Sequence, residues 1–191
     1  MTALNESTVE LAALEYLRQL GWSTAFGPSI APDSAAAERS SYEQVYLYDR
    51  LREAAARANP GLAPPVIEEA VKRLERAESQ SAIAENLRVH TLLTQGVPVE
   101  YRDTGGAVRT VRVLLIDFEQ PAKNDWLVVN QFTVVHNGKK RRPDIVAFVN
   151  GVPLALFELK SLANEHATLK TAWNQIQTYR KDIPRSSCRT R

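Results

Sequence analysis

A chain of 191 residues can close one good hydrophobic core and leaves little room for a second. With 44% hydrophobic and 24% charged residues it has the composition of a soluble globular protein, and its single cysteine excludes an internal disulfide, which suits a reducing cytoplasm. No apolar run approaches the ~20 residues that span a bilayer, and the net charge of +2 does not by itself announce nucleic acid, although Lys139 to Arg142 form a basic run and "RKDIPRSSCRTR" a basic tail.

Residues 6–20 read as an amphipathic helix. Val9, Leu11, Ala13, Leu14, Leu17 and Leu20 recur at roughly helical spacing, and Gly21 follows as a stop. "FGPSIAPDSAAAERS" (26–40) lacks a period and reads as a loop. Helical segments are predicted at about 41–58, 64–78 and 80–95, the second opening on Pro64-Pro65, where a missing N–H costs little. The period then changes. "VPVEYRD", "AVRTVRVLLIDFE", "DWLVVNQFTVVH", "PDIVAFVNG" and "VPLALFELK" are β-rich, separated by turn residues such as Gly105-Gly106, Asn137-Gly138 and Asn150-Gly151. From about His166 to Lys181 the pattern returns to helix. The order implies an α/β or α+β core with helices on both faces of a central, antiparallel-rich sheet.

Three charges sit in or against the last two apolar runs: Asp144, Glu158 and Lys160. Burying an unpaired charge costs several kcal/mol or shifts its pKa, so the three need a reason to be there. Glu158 and Lys160 are two apart and share a strand face. A simple two-residue Asn150-Gly151 hairpin would set Asp144 opposite Phe157, on the face away from Glu158. A three-residue loop with a bulge would bring Asp144 across from Glu158. Converged, two carboxylates and an amine make a divalent-cation site with a cationic neighbour, suited to Mg²⁺ and an activated water. The plainer reading is a Lys–carboxylate pair on a partly exposed strand, worth ~0–1 kcal/mol.

"RPD…FELK" resembles the PD-(D/E)xK nuclease motif, written here as Pro143-Asp144 and Glu158-Leu159-Lys160. The downstream "NQIQTY" places Gln175 and Tyr179 one helical turn apart and resembles the Q-x-x-x-Y extension of the restriction subunits of type I restriction–modification enzymes. With "LVVNQFTVV", "LLTQGVPVEY" and "NESTVELAALEYLRQLGW" the resemblance runs from about Asn5 to Pro184. It implies a restriction-endonuclease-like α/β core, a central mixed sheet flanked by helices with an N-terminal helical part. That would be one nuclease domain over 1–184 with a helical insertion at 41–95, then a basic tail at 185–191.

The same resemblance makes Asp144, Glu158 and Lys160 catalytic, with Asp144 and Glu158 as Mg²⁺ ligands and Glu10 as a further ligand from the first helix. Gln175 and Tyr179 would support the site and contact the DNA backbone. It implies hydrolysis of DNA phosphodiester bonds through metal-activated water in a bacterial or archaeal cytoplasm, beside methylation and specificity subunits. ATP would enter only through motor domains; no G-x-x-x-x-G-K-[ST] occurs in this chain. "GKKRRPD" reads as a phosphate-contacting loop carrying Arg141 and Arg142, or as a solvated turn. His90, His136 and His166 have no ligand spacing, Cys188 has no partner base, and Trp22, Trp126 and Trp173 read as core or rim aromatics. The ending "PRSSCRTR" departs from the family's apolar continuation, as a truncation or a shifted reading frame would. A stand-alone repair or junction nuclease of the same fold, and a DNA-binding or subunit-docking module that cuts nothing without the motor, are the competing readings.

Overall fold

The first helix forms where the spacing predicts it. α1 (Glu6–Gln19) lays Ala13, Leu14 and Leu17 against Val128, Ile145 and Ala147 of the sheet. Gly21, at φ +93°, ends it in the left-handed conformation that glycine adopts without strain. The computed structural model describes residues 6–160 and 169–182, with the backbone alone for Glu6 and Leu169. His166, Cys188 and the tail at 185–191 lie outside these residues. Two units divide the chain, one drawn from Met1–Tyr46, Trp126–Phe148 and Val152–Arg191, the other from Leu47–Asp125 and Val149–Gly151. No described helix is long and apolar enough to cross a membrane.

The described strands are β1 (Ser23–Phe26), β2 (Val97–Arg102), β3 (Val108–Val113), β4 (Trp126–Asn130), β5 (Val134–His136), β6 (Lys139–Arg141), β7 (Ile145–Val149) and β8 (Val152–Phe157). The first unit is built on a mixed four-stranded sheet in the order β1-β4-β7-β8. β1 runs parallel to β4, with Thr24 beside Val128. β7 runs antiparallel to β4, as the bonds from Gln131 N–H to Asp144 C=O and from Asn150 N–H to Asp125 C=O fix. Every residue of β7 is buried. That continuous apolar run is what a strand covered on both faces requires, and burying Ile145 or Phe148 stabilises by about 1.5–3 kcal/mol each.

"DWLVVNQFTVVH" is not one strand. Gln131 adopts φ +56° and breaks it into β4 and β5, and β5 turns back on β6 through Asn137 and Gly138, both at positive φ. α5 (Leu169–Asp182) contacts β6.

The second unit holds α2 (Tyr48–Ala58), α3 (Pro64–Glu75) and α4 (Ala82–Gln95), with β2 and β3 as a separate antiparallel ribbon rather than members of the central sheet. Val97, Val99 and Val113 supply the ribbon's buried face. The hairpin tip belongs to this unit. Asn150, 1% exposed, donates to the Leu115 carbonyl and to Asn124 Oδ1 at 2.8 Å each, and its own Oδ1 accepts the Asp125 N–H. A Cβ on Gly151 would lie 2.2 Å from the Leu47 carbonyl oxygen, so no larger residue fits there.

Candidate active site

Asn150 and Gly151 both take positive φ (52° and 74°), the geometry of the simplest hairpin turn, contrary to the longer loop expected. The side chains beyond the turn nevertheless follow the offset register. Ala155 and Leu159 pack with Ile145 and Ala147 on the α1 side. Leu154 and Leu156, with Ala155 between them, line a pocket with Val146, Phe132 and Val134. Asp144 directly precedes β7, and Glu158 and Lys160 directly follow β8.

Direct contacts agree. Asp144 Oδ2 accepts the Leu159 N–H at 2.7 Å, stitching the start of β7 to the residue between Glu158 and Lys160. Glu158, Lys160, Gln175 and Tyr179 close a ring of hydrogen bonds. Lys160 Nζ donates to Glu158 Oε1 (3.1 Å) and to Gln175 Oε1 (3.2 Å). Gln175 Nε2 donates to the Tyr179 hydroxyl (2.9 Å), which donates to Glu158 Oε2 (3.1 Å). The i, i+4 spacing on α5 is what lets one amide and one phenol meet and reach the end of β8 together.

Burial sets the electrostatics. The Glu158 side chain is 2% exposed. Desolvation raises its pKa above the usual carboxylate value; Lys160 and Tyr179 pull it back, and the charge of Asp144 pushes it further up. Tyr179 is 4% exposed, and its pKa is pushed up to about 12, first by burial and then by the negative charge of Glu158. The Asp144 charge thus acts on Glu158 against the pull of the Lys160 ammonium.

Could this hold a divalent cation? Among the described residues no three His, Cys, Asp or Glu side chains gather as a ligand cage. Asp144 and Glu158 would be the two protein donors, a set that fits Mg²⁺, which keeps several waters and takes one or two carboxylates. Glu10 is engaged elsewhere: Oε1 accepts from Asn130 Nδ2 at 2.7 Å and Oε2 from Gln131 Nε2 at 2.6 Å. Its link to Asp144 runs through Gln131, whose N–H binds the Asp144 carbonyl.

Comparison with known proteins places the chain. Residues 3–187 match the family model described as "Type I restriction enzyme R protein N terminus". The chain belongs to that family.

Among its relatives in the type I R-protein family, the type I restriction enzyme HindI endonuclease subunit of Haemophilus influenzae is 35% identical over 181 residues, which is 94% of this chain and 17% of that protein. The putative type I restriction enzyme MjaIXP endonuclease subunit of Methanocaldococcus jannaschii is 37% identical over 185 residues, 95% of this chain and 17% of that protein. The chain therefore spans about a sixth of the length of these relatives.

The basic loop of this R-protein domain is not uniform. Arg141 donates to Asp182 at the end of α5 and, at 2.9 Å, to the Lys140 carbonyl, whereas Arg142 is exposed. Trp173, read as a core or rim aromatic, is 58% exposed, while Tyr179 is buried. Sequence reasoning missed Asn130, Gln131 and Asp182. The first two are neutral amides with no chemical signature. Asp182 pairs with residues some forty positions earlier, which no local pattern reveals.

Proposed function

We propose that this domain is the Mg²⁺-dependent DNA endonuclease module of a type I restriction enzyme. Family membership supports a restriction-system nuclease, and the observation that carries the finer reading is the closed Glu158–Lys160–Gln175–Tyr179 ring with Asp144 bonded into its edge. Asp144 and Glu158 would hold the cation. When bound, Mg²⁺ supplies Lewis-acid charge and an activated water for phosphodiester hydrolysis. The remaining work falls to the chain's own groups. Lys160 carries the positive charge that stabilises the added negative charge on a phosphate. Gln175 holds that ammonium through its Oε1, so Lys160 keeps its direction when Glu158 turns to another partner. Tyr179 orients Glu158 through Oε2, leaving Oε1 as the oxygen shared with Lys160. Double-stranded DNA is the proposed substrate. Methylation and specificity subunits and ATP-driven motor domains are the proposed partners, and a bacterial or archaeal cytoplasm the proposed setting.

Nicking of supercoiled plasmid by this chain in Mg²⁺ tests the reading, with Lys160→Ala as control. Nicking by the wild type and none by the variant is the expected result. A second reading, a module that holds DNA or partner subunits and cuts only in the full assembly, draws on the ring itself, in which Lys160 is already bonded twice. Equal background from both proteins would select it.

A further inference from the structure

Four consecutive cations, Lys139 to Arg142, precede Pro143-Asp144, but the strand splits them. Successive side chains of β6 point to opposite faces, so Lys139 and Arg141 share one side and Lys140 the other. Lys139 Nζ donates to Asp182 Oδ1 at 2.6 Å, and Arg141 Nη2 donates to Asp182 Oδ2. The Asp182 side chain is only 5% exposed. It lies in the last turn of α5, where the helix dipole disfavours a carboxylate, so its presence there needs those two cations. Hydrogen bonds from Lys139 and then Arg141 hold its pKa below the usual carboxylate range. Lys139 stays half-exposed, so it is pairing rather than burial that withholds it. Lys140 and Arg142 are exposed and form no ion pair with a described residue.

We propose that Asp182 divides the basic run into two roles: Lys139 and Arg141 clamp α5 to β6, and Lys140 and Arg142 are the pair that contacts DNA phosphate. The clamp is a positioning device. Asp182 lies three residues after Tyr179 on α5, so tying it to β6 fixes the helix that presents Gln175 and Tyr179 to Glu158 and Lys160. This inference rests on the DNA reading above.

The test is binding of the full 191-residue chain to a fluorescein-labelled DNA duplex across a salt series, with thermal unfolding of each variant in parallel. Each phosphate contact contributes about 0.9 to the slope of log affinity against log salt. Lys140→Gln and Arg142→Gln should each flatten the slope by about that amount and leave the unfolding midpoint unchanged. Lys139→Gln should leave the slope in place and lower the midpoint. Asp182→Asn should lower the midpoint and steepen the slope, because it frees two cations. Equal flattening by Lys139→Gln and Lys140→Gln, or an unchanged slope in Asp182→Asn, would overturn the division of roles while leaving DNA binding standing. A wild-type chain with no salt-dependent binding would overturn the DNA reading itself, and this inference with it.

Discussion

Removing one oxygen atom tests the ring. In Tyr179→Phe the phenyl body keeps its buried place and only the hydroxyl is lost, so packing hardly changes. Two bonds go with it: the donor to Glu158 Oε2 and the acceptor for Gln175 Nε2. The first is a bond to a carboxylate whose side chain is 2% exposed, so water cannot readily replace it. Bonds to charged groups contribute about 1.5–3 kcal/mol, and Gln175 can still keep Lys160 through its other end. The folded state should therefore lose about 1.5–3 kcal/mol, a drop of roughly 3–12 °C in the unfolding midpoint at this chain length. The hydroxyl bond also lowers the Glu158 pKa, so its loss should raise that pKa further. Differential scanning fluorimetry and urea unfolding of both proteins near neutral pH measure the stability term. A Phe variant that unfolds at the wild-type midpoint would refute the ring, because it would mean the hydroxyl is solvated and Glu158 is held by something else. The contact lies inside the domain, so the expected loss of stability departs from a phenol that only touches DNA.

Other perturbations separate the carboxylates. Glu158 has a raised folded-state pKa, so its ionisation costs stability that is present below about pH 4.5 and lost as pH rises through the folded value; the stability of the wild type relative to Glu158→Gln should fall over that window, and a flat difference between pH 4 and 8 would refute it. Asp144→Asn keeps an oxygen for the Leu159 N–H and relieves repulsion of Glu158, so its unfolding free energy should stay within about 0.5 kcal/mol or rise, whereas Asp144→Ala leaves that N–H without its acceptor and should lose about 1–3 kcal/mol in the same urea titration. Mg²⁺ should raise the unfolding midpoint of the wild type and not of Asp144→Asn, as linkage requires of a ligand that binds only the folded state through that carboxylate. Gly27→Ala would put a Cβ 2.5 Å from the Gln131 carbonyl oxygen and 2.8 Å from that of Asn130, both backbone atoms; it should lose about 1–3 kcal/mol by calorimetry even though Gly27 touches none of the charged residues.

The charged core of the site was legible because charge is conspicuous in an apolar run. Asp144, Glu158 and Lys160 stood out on that ground, and Gln175 and Tyr179 followed from helical spacing plus a family resemblance. β1 escaped because Ser23, Thr24 and Phe26 are exposed, so this edge strand carries no alternating apolar signal. The break at Gln131 escaped because its cause is tertiary. A glutamine in the left-handed region is held there by bonds to the Asp144 carbonyl and the Glu10 carboxylate, and nothing in "VVNQFTVV" marks it. The core-or-rim reading of Trp173 left its burial open, and on α5 the buried position belongs to Tyr179. The hairpin register was half legible. Asn150-Gly151 correctly marked a turn, but the side-chain faces beyond it depend on packing against α1, which residue types do not encode.

The direction of the hydrogen bonds explains how two adjacent carboxylates are tolerated in a nearly closed place. Both oxygens of Glu158 accept within the ring, one from Lys160 and the other from Tyr179, while Lys160 also donates to Gln175, whose own amide donates to the phenol. Asp144 accepts a separate bond from the Leu159 backbone. A backbone N–H and a phenol bring hydrogen bonds without net charge, and Lys160 is the ammonium bonded between Glu158 and Gln175 of α5. A second carboxylate is thus held near the first, against its electrostatic preference, by a bond that spans the hairpin.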